Sequence, residues 1–463
     1  MPTILGANSV RDTGYNVANS LRLNDGDSPV LSKTASGAGN RKTWTISWWF
    51  KRSTLGTMTF FWQDGASTDH ETKIAFDSSN RLFVYDFDGS SFNMLLKTNR
   101  LFRDVSAWYH AIIAVDTTDG TAANRIKMYI NGVQETSFET ATYPSQDHDT
   151  EWNSDNELRI AKDSSGEHFD GYITEIVNID GSQLAQTSFG EFDEDSPTIW
   201  RPINVSALTF GTNGFHLDFE DSSSLGNDVS GNNNDFSPSN LAAIDQSTDT
   251  CTNNFATMNS IDNLAAGSAF SEGNLKIVTT GSNITYNTST IGFSSGKWYM
   301  ETKLSGSSGY TVGVIRGVSE GNNNDNKLGN RADGFSYDDG GIVENNGGTV
   351  SGTSGYSTYA SGDIIGVYTD LDNNKLYFSK NGSLQSSTGI DITAGTYFFA
   401  VGDNNASNSS TYEVNFGGTN TYSVSSGNTD GTYGNFEYST TITGDGASKT
   451  FKALNTKNLA EFG

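Results

Sequence analysis

Apolar and polar positions alternate with period two along much of the chain, most clearly in residues 107–138, AWYHAIIAVDTTDGTAANRIKMYINGVQETSF. Residues 108–115 form an apolar run that reads as one strand. Residues 125–130 alternate apolar with charged or polar side chains, the pattern of a sheet with one face buried and one wet. Asn131-Gly132 then predicts a tight hairpin, because both central residues of a type I′ turn need positive φ. The same grammar recurs in residues 362–385, GDIIGVYTDLDNNKLYFSKNGSLQ. There an apolar strand ends at Asp370, a polar turn follows at Asp372-Asn373-Asn374, and a second Asn-Gly closes the unit at Asn381-Gly382. Two such meanders far apart predict two domains, each with a meander at its sheet centre.

Further strands are expected at residues 43–52, 59–62, 73–76, 82–85, 158–161 and 171–179 in the first half. In the second half they are expected at 275–278, 297–304, 311–315, 364–369, 375–379 and 397–401. In TWTISWWFKR, Trp44, Ile46, Trp48 and Phe50 share one face, an aromatic core strand. No long stretch carries the 3.6-residue apolar period of a helix. The 50 glycines, with abundant Asn, Ser, Thr and Asp, supply turns for many short strands. Leu, Ile, Val and Phe make up only roughly a fifth of the chain, near the level of disordered proteins. Aromatics at 12%, placed at strand spacing, argue instead for packed cores. A length of 463 residues suits two or three domains.

Two prolines, Pro197 and Pro202, of only six in the chain, stand in the acidic stretch LAQTSFGEFDEDSPTIWRPIN and mark a boundary. The expected division is an N-terminal arm at 1–19, a first sandwich at 20–190, a linker and inter-domain segment at 191–271, and a second sandwich with its closing segment at 272–463. The net charge of −26 weighs against nucleic acid and anionic membrane surfaces as partners. No apolar run approaches a membrane span, so no membrane insertion is expected. Residues 1–20 show no basic segment followed by an apolar one, which predicts synthesis in the cytoplasm without a signal peptide. The single cysteine, Cys251, excludes an internal disulfide framework.

The segments NSLRLN (19–24), WTISWWFK (44–51), WYHAIIAVD (108–116), KMYINGVQ (127–134), ELRIAKD (157–163) and FDGYITEIVNI (169–179) together resemble the laminin-G-like and pentraxin-like branch of the concanavalin A-like jelly rolls. Downstream, GKWYMETKL, YTVGVIRG, GFSYDDGG, YASGDIIGVYTDLDNNKLYFSKNG and TYFFAVGD resemble a SPRY domain, and FKALN (451–455) resembles the segment that closes one. The resemblances imply an all-β protein of two antiparallel jelly-roll β-sandwiches, concanavalin A-like then SPRY-like, joined by an acidic loop-rich linker. The tandem, with MPTILGANSV, NRKTWTISWWFKRS, RDVSAWYH and TDTCTNNFATMN, resembles structural proteins of marine, cyanophage-like bacteriophages. That resemblance implies a virion protein, a tail fibre or particle-surface fibre. Its implied partners are other virion proteins and a host-surface glycan or envelope protein. It also implies a homo-oligomer, a trimer by analogy with phage fibres. A purely structural decoration protein is the alternative.

Catalytic chemistry is not expected. Jelly-roll glycanases place carboxylates as E-x-D-x-x-E on one strand. The nearest stretch, Glu191-Phe192-Asp193-Glu194-Asp195-Ser196, ends in serine and falls in the connector, which disfavours a glycan depolymerase. No His-x-x-x-His or Cys-x-x-Cys pair suggests a transition metal. Recognition through loops is the remaining reading. Asp147-His148-Asp149 with Glu151-Trp152 combines oxygen ligands and an aromatic face, suited to a calcium-assisted sugar site at Asp147, Asp149 and Glu151, or else to a solvated loop. Asp86 and Asp88, near Asp64, form a second such group. In the SPRY-like half the resemblance places partner-binding loops at 320–331 with Asn322, Asn323 and Asn324, at Tyr337-Asp338-Asp339, and at 356–359 with Tyr356 and Tyr359. Their Tyr, Asn, Gly and Ser content fits a paratope-like surface.

Overall fold

The protein is described here by a computed structural model covering residues 14–65, 67, 69–263, 267–279, 281, 284–317 and 327–463. The chain divides into two compact units, Thr13–Thr252 and one that holds Asn253–Gly463. Each is built from two sheets around its own core, so the all-β, double-sandwich expectation holds.

In the first unit one sheet runs in the order Val133–Gln134, Ile126–Ile130, Tyr109–Asp116, Thr43–Arg52, Gly171–Asp180, Ser20–Leu23 and Gln246–Ser247. The facing sheet runs Phe138–Thr142, Phe92–Thr98, Leu82–Asp88, His70–Phe76, Met58–Asp64, Glu157–Ile160, Val30–Thr34 and Ser237–Ser239. Trp44, Ile46, Trp48 and Phe50 point together into the core between them. Each such ring contributes about 2–3 kcal/mol by leaving water. The opposite face of the same sheet is buried too. Ile112, Ala114, Val177 and Ile179 on that face are covered by Phe189, Val205 and Phe210 from the following segment.

Residues 191–252, expected as a linker and inter-domain segment packed on one or both neighbours, pack on the first unit. Phe215, Leu217, Phe219, Leu225 and Phe236 all enter the first core. The strands Phe215–Leu217, Ser237–Ser239 and Gln246–Ser247 pair within the first unit's sheets. Polar ties complete the attachment: Asp249 accepts from the buried Lys51 ammonium at 2.8 Å and from the Trp108 indole at 3.0 Å. The apolar residues come singly between polar ones, which is why the stretch reads as loop.

The Asn131-Gly132 hairpin forms as expected, with φ of 47° and 76°. A side chain at Gly132 would also run into the Trp200 ring. The second Asn-Gly, at Asn381-Gly382, has the same angles.

In the second unit one sheet centres on Tyr397–Asp403 and Tyr310–Arg316, the other on Lys297–Gly306 between Ser410–Asn415 and Ile364–Asp370. The closing segment does join this sandwich: Lys452–Ala453 pairs in parallel with Trp298 and Tyr299. A short helix, Thr456–Phe462, follows, capped by the Asn455 side chain on the Asn458 amide. No helix among the described residues is long and apolar enough to cross a membrane. The N-terminal arm expected at 1–19 lies outside the described residues up to residue 13.

Candidate functional site

The two acidic groups of the first unit meet, but as a structural network. Asp86, inward-facing on its strand and buried, accepts from the Thr72 hydroxyl at 2.6 Å and the Glu151 amide at 2.7 Å, with the His148 ring at 2.8 Å. Glu151, also buried, pairs with Arg41 at 2.7 Å and lies 3.4 Å from His70. The loop carrying residues 145–155 is thereby fastened over the strand ends. Arg41 and the strand His70–Phe76, which supplies His70 and Thr72, are not legible as members, because both lie far from residues 145–155 in the sequence.

Trp152 corrects the expectation of a sugar-facing aromatic. It has no exposed surface, stacks on Trp44 at 5.1 Å, and donates through its indole to Asn178. Asp88 closes its own hairpin turn, accepting from the amides of Ser91 and Ser90, the Ser90 hydroxyl and the Asn93 side chain. The Ser91 amide, with these other donors, holds its carboxyl well below the usual range. Asp147 lies 3.8 Å from Lys42, Asp149 is exposed, and Asp64 stands half-buried at its strand end. Among the described residues no group of three or more His, Cys, Asp or Glu is arranged to hold a metal ion. With Glu151 committed to Arg41 and His70, the trio Asp147, Asp149 and Glu151 does not fit calcium. Melting in calcium and in chelator is therefore expected to agree within about 1 °C, since a cation bound by the folded state would raise stability. A clear upward shift with calcium would contradict this.

In the second unit the expected loop tyrosines are core side chains. Tyr337 lies in the strand Gly334–Asp338, fully buried, with its ring 5.6 Å from Tyr356 and 4.8 Å from Tyr359. The Tyr359 hydroxyl donates to the Tyr337 carbonyl at 2.6 Å. Asp338 accepts from the Ile342 amide, and Asp339 from the Gly309 amide, so both fasten turns. Burial pushes the Asp338 carboxyl up. These five residues therefore do not form an exposed paratope. Asn322, Asn323 and Asn324 lie outside the described residues.

Ser47 and His110 stand 2.7 Å apart, a spacing that suggests a nucleophile with its base. The Trp200 indole, which can only donate, bonds the other ring nitrogen at 2.8 Å. The hydrogen of neutral His110 therefore sits on Nε2 and points at Ser47, so the ring cannot take the serine's proton. The nearest match to a glycanase carboxylate pair is likewise occupied: Glu191 and Asp193 both bind Arg201, at 2.9 Å each.

Burial pushes the His110 pKa down to about 3, from 6.5. A folded value below the unfolded one means that the stability is fully present above pH 6.5 and is lost as pH falls towards 3. The His110 share of that loss is expected to be about 3 kcal/mol between pH 7 and pH 4. Denaturant melts of His110→Gln should show a pH 7-to-4 decline smaller by that amount. An unchanged decline would contradict the neutral-ring assignment.

Residues 24–181 match the family described as the concanavalin A-like lectin/glucanases superfamily. No curated protein matches the chain. Among solved structures, the SPRY domain of human HERC1 is similar at 17% identity, over 34% of this chain and 96% of that one, with a TM-score of 0.28. A native heptameric SAP-like pentraxin from Limulus polyphemus is similar at 14% identity, over 37% and 80%, with a TM-score of 0.28. The TRIM65 PSpry domain is similar at 13% identity, over 34% and 89%, with a TM-score of 0.27.

Proposed function

We propose that this chain is a non-catalytic recognition protein of a bacteriophage particle, a tail fibre or particle-surface fibre that binds a host-surface glycan or envelope protein. The observation that carries the recognition part is the match of residues 24–181 to a lectin and glucanase superfamily, in a sandwich whose nearest approaches to catalytic groups are tied up by Trp200 and Arg201. The virion part rests on the resemblance of the tandem and its flanking motifs to marine phage structural proteins. In this reading the chain assembles with other virion proteins as a homo-oligomer, made in the host cytoplasm. The alternative, a decoration protein without a receptor, is favoured by how much of the expected loop chemistry is spent on packing.

Adsorption of the purified chain to host cells tests the proposal. Saturable binding that competes with particle adsorption is expected. Binding to neither cells nor any glycan would overturn the recognition part and leave the decoration reading.

A further inference from the structure

The outer face of the first unit's second sheet carries a strip of rings that none of the cores absorbs. In the strand Leu82–Asp88, Leu82 and Val84 point inward and are fully buried. The alternate positions Phe83, Tyr85 and Phe87 point outward and stay partly exposed, as period two requires. Phe92, on the neighbouring strand, extends the strip and is 48% exposed. The rings are continuous: Phe83 stacks on Tyr85 at 5.7 Å, Tyr85 meets Phe92 edge-on at 5.1 Å, and Phe92 meets Phe87 at 5.0 Å. Residues 83 to 87 span about 13 Å along the strand. On the other sheet of this unit the outer face is sealed by Phe189, Val205 and Phe210, whereas no described residue closes a core over this strip.

The polar surroundings indicate what the strip accepts. The Glu71 carboxylate is held beside it by two donors, the Trp62 indole and the Tyr85 hydroxyl, which fixes its position and leaves lone pairs for further donors. The neighbouring cations are already paired: Lys73 with Asp163 and Glu167, and Lys97 and Arg81 with Asp77 and Glu139. Negative ring faces attract the weakly positive C–H face of a sugar ring, and a fixed carboxylate accepts hydroxyl hydrogens. With no uncommitted cation among these groups, and a chain carrying −26, an acidic glycan gains nothing here.

We infer that this aromatic strip is a binding site for a neutral polysaccharide, seated along Phe83, Tyr85, Phe87 and Phe92 with Glu71 as hydroxyl acceptor. The inference rests on the recognition reading above and names the ligand class and its place.

Native electrophoresis of the full chain through gels cast with β-1,3-glucan, β-1,4-glucan, mannan or galactan, with heparin as the acidic control, tests it. At least one neutral gel should retard the wild type, equally at low and high salt. The double substitution Phe87→Ala/Phe92→Ala should weaken that binding at least tenfold. Phe92→Ser alone, at an exposed position, should weaken it in the same direction, which guards against a double variant that misfolds. Retardation that both variants retain overturns the strip while leaving glycan recognition standing. Retardation by heparin only, or by none of the gels, overturns the neutral-glycan site; host-cell adsorption then decides the broader reading separately. A wild type that sediments as a dimer where the double variant is a monomer would make the strip a self-association surface and also overturn the inference.

Discussion

Replacing Glu301 by alanine is expected to cost the second unit about 4 kcal/mol, a large share of the roughly 5–15 kcal/mol that holds an ordinary domain together. Glu301 lies in the central strand Lys297–Gly306 with no exposed surface. One carboxylate oxygen accepts from the Glu437 amide at 2.7 Å, the Tyr422 hydroxyl at 2.9 Å and the Asn415 side chain at 3.0 Å. The other accepts from the Tyr299 hydroxyl at 2.9 Å and the Tyr438 amide at 3.2 Å. The residue therefore fastens two segments from beyond position 420 to the sheet, and truncation strands all five donors in a dry place. Burial raises its pKa, opposed by the Glu437 amide, the Tyr422 and Tyr299 hydroxyls and the Tyr438 amide. A raised folded value means that this contribution is full at low pH and is lost as pH rises through that value. Glu301→Gln should cost less than alanine and remove that pH dependence. Urea unfolding of the three proteins at pH 5 and pH 8 measures both effects. An alanine variant within about 1 kcal/mol of wild type would show that the segments hold without the carboxylate.

Trp152→Ala is expected to cost the first unit about 3–5 kcal/mol, the range for deleting a large buried ring. The cavity would open between Trp44 and Phe61, whose rings lie 5.1 and 6.0 Å away, and would strand the Asn178 side-chain oxygen that accepts the indole hydrogen. The same substitution separates two roles for this residue. A core tryptophan predicts a large fall in thermal stability. A sugar platform predicts unchanged melting with lost glycan binding, and that outcome would contradict the packing described here.

The sequence carries the fold better than the site. Period-two patterning at 43–52 and the Asn-Gly turns at 131–132 and 381–382 place strands and hairpins, because backbone alternation and positive φ are local constraints. The attachment of 191–252 is not local. It depends on single apolar residues such as Phe219, Leu225 and Phe236 finding gaps left by distant strands. The acidic loops mislead for a related reason. Composition shows carboxylates and tyrosines close in sequence, yet Glu151 is taken by Arg41 from more than a hundred residues away, and Tyr337 is turned inward by strand pairing. The outward ring strip was half visible in the alternation Phe83, Tyr85, Phe87. What the sequence lacks is any sign that later segments cover one sheet's outer face and not the other's.

The proposed place of this protein is on a phage particle, as a surface-recognition component. Immunogold labelling of intact particles from the source, with antibody raised against the purified chain, tests it most directly. Label on fibres, of the tail or of the particle surface, is the predicted result, and uniform label over the capsid shell would place the chain among decoration proteins. Particles without label would contradict the virion reading and leave a two-domain binding protein acting elsewhere.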